Sequence, residues 1–233
     1  MPPRALDPAG VALVDKPAGP SSFAVVAQIR RVTGARTGHA GTLDPFATGL
    51  LLLLSGRATQ IAPWLVGLDK RYRTEVDLSS RTSTGDPEGE IVERHEAPPA
   101  DELERRLADL RGEVELPIPA ASAVKIGGER AYRLARRGVE VEMPRRRSTV
   151  YALDVIAYTG GRATLDLRVS SGTYVRSIAD VLGGHCTSLR RTEVGPFDVA
   201  DAVGPDAFTP SRLLPEADVL ARLGATGGED RRA

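Results

Sequence analysis

Cysteine and aromatic residues are scarce in this chain of 233 residues. The single cysteine, Cys186, excludes a disulfide framework within one chain and is typical of a protein from a reducing compartment. Aromatic residues make up only 4% of the sequence, so we expect a core built mainly from Leu, Val, Ala and Ile. The hydrophobic content of 41% is sufficient for such a core and excludes a mainly disordered protein.

Net charge and long hydrophobic runs are absent as well. The 31 basic and 31 acidic side chains cancel, so only a local basic cluster could indicate nucleic-acid binding. The N-terminal "MPPRALDPAG" lacks the apolar segment of a signal peptide. The leucine run at 50–54 is far shorter than the roughly 20 residues that cross a bilayer. These features predict a cytoplasmic protein that does not associate with membranes.

Several familiar catalytic and cofactor motifs do not occur. There is no G-x-x-x-x-G-K-[ST] phosphate loop and no G-x-G-x-x-G, so we expect no nucleotide cofactor. The three histidines, His39, His95 and His185, do not have the spacing of metal ligands, and we expect no metal. The serines show no recognisable hydrolase arrangement with a histidine.

Hydrophobic patterning predicts an α+β fold on a mixed, largely antiparallel sheet. We expect a helix through "FAVVAQIRRV", capped by Ser21 or Ser22 and closed by Gly34. The run "LLLLLS" predicts a strand that is buried on both faces, and residues 35–49 predict an organised loop. Further strands, helices and a hairpin are expected in "VALVDK", "KRYRTEVDLS", "ADELERRLADLRG", "STVYALDVIAYTGGRATLDLRVS" and "GTYVRSIADVLGG", with a last helix in "FTPSRLLPEADVLARLG".

The stretch "RTGHAGTLDPFATGLLLLLSG" at 36–56 surrounds Asp44 with glycine, proline and other small residues. One interpretation is a helix N-cap, because an Asp before a Pro is a common helix start. However, "FATG" leaves room for at most one turn before the leucine run, so there is scarcely a helix to cap. The other interpretation is a backbone shaped around a reacting carboxylate, and we favour it.

The segment "GHAGTLDPFATGLL" resembles the central motif of the TruB-type tRNA pseudouridine synthases, approximately G-H-x-G-[TA]-L-D-P-x-A-x-G-[LVM]-L. This motif is long and rarely matched by chance. The resemblance extends from Val11 to about Phe197. Other family-like segments occur in the family's order: "VDKPAGPSS" at 14–22, "DKRYR" at 69–73, "SAVKIGGERAYRLAR" at 122–136, "SGTYVRSIADVLG" at 171–183 and "SLRR" at 188–191.

The resemblance implies conversion of uridine-55 in the tRNA T loop to pseudouridine, without metal or cofactor. It assigns the essential role to Asp44, which either adds to the sugar or removes a C2′ proton. It implies that Arg176 pairs with Asp44 and that Tyr72 stacks on the target base. From the residues alone, Arg176 could equally be a surface arginine and Tyr72 a core aromatic of a strand.

The resemblance also implies substrate-binding residues. His39 would help to extrude the base, and Lys16 and Pro17 form the "KP" element that borders the site, although a simple turn would explain that pair too. Asp86 is retained in the "RTSTGD" segment. Local arginine clusters are candidates for phosphate contacts, with a solvated charged face as the alternative: Arg133, Arg136, Arg137, Arg145, Arg146, Arg147, Arg190 and Arg191.

The chain departs from the family pattern at a few positions. Leu116 stands where Gln is usual, Ala121 where a bulky residue is usual, and Ser83 where Asp is common, and the segment 183–188 is short. We expect one pseudouridine-synthase-like catalytic domain over 1–200 and a short helical tail over 201–233, whose last residues are disordered and which leaves no room for a PUA domain. The expected partner is the T arm of tRNA, bound by a monomer. The alternatives are a pseudouridine synthase for another RNA, and an RNA-binding or RNA-folding protein with secondary catalysis.

Overall fold

The computed structural model describes residues 8–122, 124–131, 133, 137, 139 and 142–226. The chain forms two compact units, one of residues 1–72 and 190–233 and the other of residues 73–189. The chain passes from one unit to the other within two strands, Lys70–Asp77 and His185–Val194. Both units contain helices and strands, which confirms the predicted α+β class.

The strands and helices of the described residues are numbered in chain order. The strands are β1 (Gly10–Lys16), β2 (Thr37–His39), β3 (Thr48–Ser55), β4 (Lys70–Asp77), β5 (Ser80–Thr82), β6 (Ile91–Arg94), β7 (Gly112–Pro117), β8 (Lys125–Ile126), β9 (Glu129–Arg130), β10 (Arg145–Thr159), β11 (Arg162–Val169), β12 (His185–Val194) and β13 (Phe197–Asp198). The α-helices are α1 (Ser22–Thr33), α2 (Ala62–Val66), α3 (Ala100–Asp109), α4 (Val175–Val181) and α5 (Glu216–Thr226). A 3-10 helix, Gly56–Ile61, precedes α2.

Strand β3 is the centre of the first unit. Strand β1 pairs with it antiparallel along its whole length, from Gly10 opposite Ser55 to Lys16 opposite Gly49. On the other edge of β3, β2 pairs antiparallel with residues 53–55, and β12 pairs parallel with residues 48–49. The sheet of this unit is therefore mixed, as predicted.

The leucines of β3 are buried on both faces of the strand. Leu50, Leu52 and Leu54 belong to a core cluster that also includes Phe197 and Val219. The intervening leucines at 51 and 53 point to the opposite face and are also fully buried. This confirms the strand predicted from the uninterrupted leucine run, and it shows that α5, which carries Val219, contributes to the core of this unit.

Helix α1 begins and ends where its capping residues predict. The Ser21 side chain accepts a hydrogen bond from the N–H of Ala24 at 3.2 Å, as an N-cap does. Gly34 closes the helix with φ of 68°, a left-handed conformation that glycine adopts without steric cost. The helix buries Val25 and Ile29, four residues apart on one face.

The second unit contains the predicted hairpin of β10 and β11. The two strands pair antiparallel from Val150 opposite Val169 to Thr159 opposite Arg162, with two irregularities in the register. Gly160 and Gly161 make the connecting turn, both with positive φ. The strand order across this unit is β12-β4-β11-β10-β7.

Some strands were not predicted from the sequence. Strands β5 and β6 pair antiparallel as a small hairpin, and β2 lies within the predicted loop 35–49. Strand β7 pairs antiparallel with the first part of β10. Strand β2 is half-buried, β6 is fully exposed and β7 mostly so; none of them shows the strict alternation of buried and exposed residues by which a strand is recognised.

The segment after α4 is short because glycine allows a close approach. Helix α4 ends at Val181 and β12 begins at His185. A Cβ on Gly184 would lie 2.3 Å from the carbonyl oxygen of Asp77, so only glycine fits there. The predicted disorder at the C-terminus falls on positions outside the described residues. The domain boundary at residue 200 stays a prediction.

Candidate active site

Asp44 lies in a turn that leads directly into a strand. Its carbonyl accepts a hydrogen bond from the N–H of Ala47 at 3.2 Å, and β3 begins at Thr48. No helix follows, so the interpretation of Asp44 as a helix N-cap is wrong. Asp44 itself is half-buried. The carboxylate therefore sits on a shaped loop, here called the Asp44 loop and defined as residues 41–49.

Ser22 holds the residue before Asp44 by two hydrogen bonds. Its Oγ donates to the carbonyl oxygen of Leu43 at 2.8 Å and accepts from the N–H of Leu43 at 2.9 Å. Ser22 and Leu43 are both buried. One side chain thus satisfies both backbone groups of Leu43 and restricts the peptide that leads into Asp44.

Lys16 holds the residues after Asp44. Its Nζ donates to the carbonyl oxygens of Pro17 at 2.9 Å, Pro45 at 3.1 Å and Ala47 at 2.6 Å. The N–H of Gly19 also donates to Pro45 O, at 2.8 Å. Lys16 is 0% exposed. It was predicted to border the site and bind substrate, but its buried ammonium group binds the backbone of the loop, while Pro17 beside it is exposed.

Arg191 binds the first residue of the Asp44 loop and the residue that follows the loop. Its Nε donates to Leu50 O at 2.7 Å and its Nη2 to Gly41 O at 3.1 Å. Arg191 is 1% exposed, so the predicted surface contact with phosphate is replaced by contacts with backbone carbonyls. Gly49 is required beside it, because a Cβ there would lie 2.2 Å from the Arg191 carbonyl oxygen. Arg190, by contrast, is half-exposed and makes a bidentate pair with Asp15 at 3.0 and 2.8 Å.

Lys70 is a buried cation near the Asp44 loop that sequence analysis missed. Its Nζ donates to the carbonyls of Val66, at 2.7 Å, and of Leu68. Burial, together with the positive charge of Arg191, lowers the pKa of Lys70 to about 8. A Cβ on Gly41 would lie 3.6 Å from Arg191 Nη1 and 3.9 Å from Lys70 Cε, so both cations reach Gly41. The one signal in the sequence is that Lys70 is one of only three lysines and lies in "DKRYR".

His39 and Tyr72 lie on strands of the same unit. His39 ends β2, and its ring meets the Phe23 ring edge to face, with centroids 5.2 Å apart. Burial and the charge of Arg191 lower the pKa of His39, which keeps the imidazole neutral at pH 7. Tyr72 is buried and shares one face of β4 with Lys70. Its stacking on the target base stays a prediction.

In the second unit, Arg176 forms a buried ion pair with Asp86. Arg176 Nη1 lies 3.2 Å from Asp86 Oδ2, and neither side chain is accessible to bulk water. Arg176 also donates to the carbonyls of Thr84 at 2.8 Å and Ala121 at 3.0 Å. Asp86 Oδ1 accepts from Thr84 Oγ1 at 2.6 Å and from the N–H of Glu88 at 3.0 Å. The predicted pairing of Arg176 with Asp44 stays a prediction.

The positions that depart from the family pattern have structural roles in this second unit. Leu116 is buried on β7. The carbonyl of Ala121 accepts from Arg176. Ser83 exchanges hydrogen bonds with Glu90 across the β5–β6 hairpin: its N–H donates to Glu90 O at 2.8 Å, and its Oγ accepts from the N–H of Glu90 at 3.2 Å.

The predicted arginines between residues 133 and 147 are exposed where the structure describes them. Arg145, Arg146 and Arg147 begin β10 and all three are exposed. Arg145 donates to Glu115 O at 2.6 Å, and Arg147 Nε lies 3.6 Å from the Glu115 carboxylate. Arg133 and Arg137 are exposed as well, Arg137 pairs with Glu129 at 2.8 Å, and Arg136 lies outside the described residues.

The described residues contain no group of three or more His, Cys, Asp or Glu side chains placed to hold a metal ion. Over the same part of the chain, no helix is both long and apolar enough to span a membrane.

A solved structure is similar to this chain in fold. A solved structure described as a Cbf5-Nop10-Gar1 complex matches with a TM-score of 0.65 and 28% identity. That match covers 85% of this chain and 52% of the other, so this chain spans about half the length of its counterpart.

The family follows from the sequence relatives. Residues 30–175 match the model of the TruB family pseudouridylate synthases, N-terminal domain. A tRNA pseudouridine synthase B of Chromohalobacter salexigens is 44% identical over 92% of this chain and 72% of its own length. One from Bordetella avium is 40% identical over 91% of both. The chain belongs to the TruB family of pseudouridylate synthases.

Proposed function

We propose that this protein is an isomerase that converts uridine-55 in the T loop of tRNA to pseudouridine, with Asp44 as the essential group. The observation that carries the proposal is the Asp44 loop: a carboxylate in the TruB motif, followed by a strand rather than a helix. Membership of the TruB family and the names of the relatives support tRNA as the substrate.

The chemistry requires the glycosidic bond to break and C5 of the uracil to bond to C1′. A carboxylate serves this reaction by adding to the sugar or by removing its C2′ proton, and both routes start from an ionised acid in a fixed position. Ser22, Lys16 and Arg191 restrain the backbone on both sides of Asp44. Such restraint is what a reacting group needs, because a displacement of about 1 Å can cost two orders of magnitude in rate.

The RNA must present a base that is normally stacked inside a folded loop. The target uridine is therefore flipped out before the enzyme reaches its sugar. The exposed arginines of β10, Arg145, Arg146 and Arg147, supply positive charge for the phosphates around it. We propose that the protein recognises the T arm of tRNA and that it does so as a monomer in the cytoplasm, where tRNA is modified.

Release of tritium from tRNA labelled at C5 of uridine measures turnover, because C5 loses its hydrogen when it bonds to C1′. We expect the protein to release tritium from a transcript with U55 and not from one with C55. Mapping the product should place pseudouridine at position 55. Modification at another uridine would support the proposed chemistry but show that the target position is different. Tight binding of RNA without release of tritium would indicate an RNA-binding protein.

Asp44→Asn tests the assigned group. The amide is nearly isosteric but can act neither as nucleophile nor as base, so turnover should be abolished while RNA binding stays within a few-fold of normal. Asp218→Asn, which changes an exposed acidic residue of the same unit, is the matched control and should retain activity. Turnover of Asp44→Asn within tenfold of wild type would eliminate Asp44 as the essential group.

A further inference from the structure

Phe23 is an exposed aromatic residue in the first turn of α1. Its side chain is 70% exposed, more than any other large hydrophobic residue among those described. Leaving a phenylalanine in water forgoes the favourable free energy of burying it. A single exposed apolar residue is common on protein surfaces, so exposure alone indicates nothing. The surroundings of this ring carry the inference.

The ring of Phe23 is placed against a second aromatic ring. Its centroid lies 5.2 Å from that of His39, and the two planes meet at 77°, an edge-to-face arrangement. The two rings therefore do not cover each other face to face, and the exposed ring of Phe23 is available to a third planar group. The lowered pKa of His39 keeps this pair uncharged at pH 7.

Phe23 is adjacent in sequence to a residue that binds the Asp44 loop. The residue before it, Ser22, is hydrogen-bonded to Leu43, which is the residue before Asp44. Phe23 and Asp44 are thus each one residue away from a buried pair of hydrogen bonds that joins α1 to the Asp44 loop. A nucleotide whose sugar lies at Asp44 is therefore close to the segment that Ser22 joins to the start of α1.

We infer that Phe23 is a stacking platform for an unstacked base of the RNA substrate, adjacent to the uridine presented to Asp44. Flipping one base out of an RNA loop removes a stacking partner from its neighbours. Aromatic side chains recognise such bases by stacking, and they do so with little dependence on the identity of the base. The inference rests on the proposed function, which places the target uridine at Asp44. It adds a contact between Phe23 and a neighbouring base of the RNA.

Binding to a T-arm stem-loop tests the platform, measured with Asp44→Asn protein so that the RNA stays unreacted. Phe23→Ala should weaken binding about tenfold, within the range found for loss of one base–aromatic stack. Phe23→Leu keeps apolar bulk and should be nearly as weak as Phe23→Ala, whereas Phe23→Trp should bind as well as wild type. Trp64→Ala removes another highly exposed aromatic residue of the same unit, 60% exposed, and should not change the affinity.

Tryptophan fluorescence gives a readout that does not depend on catalysis. Trp64 is the only tryptophan of the chain, so Phe23→Trp in a Trp64→Phe background carries one reporter at the site. Stacking of a base on the indole should quench its emission when the T-arm RNA is added. The wild-type protein, which reports from Trp64, should show no quenching under the same conditions.

The outcomes separate this inference from the proposed function. If the wild-type protein releases tritium from tRNA but Phe23→Ala binds RNA as tightly as wild type, the stacking role of Phe23 is refuted and the proposed activity is supported. If tritium is not released but RNA quenches the fluorescence of Phe23→Trp, the stacking role is supported and the proposed activity is refuted. Equal loss of affinity in Phe23→Ala and Phe23→Trp would indicate a packing role and would overturn the inference.

Discussion

The hydroxyl of Ser22 bonds to both backbone groups of Leu43, donating to the carbonyl at 2.8 Å and accepting from the N–H at 2.9 Å. A buried side chain of α1 thus restrains the peptide that precedes Asp44, the residue proposed to be essential. The start of helix α1 therefore also supports the Asp44 loop. Its consequences can be measured separately from those of helix capping.

Ser22→Ala should lower kcat about tenfold or more, with little change in KM, because the Leu43–Asp44 peptide loses its restraint. It should also lower the free energy of unfolding by about 1–3 kcal/mol, since it leaves two buried backbone groups without a partner. Ser21→Ala is the control: it removes the N-cap bond to Ala24, costs about 1 kcal/mol and leaves kcat unchanged. Equal kcat values for the two variants would refute the role of Ser22.

Lys16→Met should reduce both stability and turnover. The carbonyls of Pro17, Pro45 and Ala47 lose the Lys16 donor, and two of these residues, Pro45 and Ala47, belong to the Asp44 loop. Lys125→Met is the control, because Lys125 is exposed. Urea denaturation and tritium release measure the two effects. An active Lys16→Met protein of normal stability would show that the loop keeps its shape without the ammonium group.

Asp86→Asn should destabilise the second unit. The amide retains an oxygen for Thr84 and Glu88 but leaves the buried Arg176 guanidinium without its counter-charge, and breaking a buried ion pair costs about 3–5 kcal/mol. Asp154→Asn is a matched control, because that carboxylate is exposed and lies 3.8 Å from Arg111. Chemical denaturation compares the two variants, and equal midpoints would show that the charge of Asp86 contributes little.

The pKa of Lys70 predicts stability that rises in alkaline solution. In the folded protein Lys70 has a pKa of about 8, below the usual value of 10.5 for a lysine. Between these values the unfolded chain binds more protons than the folded chain, so stability increases as pH rises from about 8 towards 10.5. Below pH 8 the full penalty of the buried charge applies.

The stability difference between wild type and Lys70→Met, from urea denaturation at pH 7 and pH 9.5, should shift in favour of wild type at the higher pH. A difference that does not change with pH would mean that Lys70 titrates normally.

RNA affinity should fall steeply with salt despite the neutral net charge. Each phosphate neutralised by an arginine releases counterions, so a plot of log affinity against log salt has a negative slope. Replacing Arg145, Arg146 and Arg147 together with alanine should flatten that slope. The control replaces three other exposed arginines, Arg57, Arg105 and Arg212, and should leave the slope unchanged. The same slope in both triple variants would make the β10 cluster an ordinary solvated surface.

The sequence predicted the elements whose signals are local. The leucine run of β3, the capped helix α1 and the Gly160-Gly161 hairpin depend on periodicity, on capping residues and on backbone preferences within a few residues. The TruB motif around Asp44 likewise lies within one continuous segment, so the amino-acid sequence by itself was sufficient to recognise the family and to single out Asp44.

Only the tertiary structure decided how the residues around Asp44 are used. The sequence predicted that Lys16 and Arg191 bind the substrate, but both are buried and bind backbone carbonyls of the Asp44 loop. Lys70 lies in the family-like segment "DKRYR" and Ser22 in "VDKPAGPSS", but their contacts with backbone groups could not be predicted from the sequence. The physical reason is that burial and hydrogen-bond partners come from segments distant in sequence, with Arg191 reaching Gly41 across 150 positions. Charge and residue type are properties of the chain, whereas solvation and partners are properties of the fold.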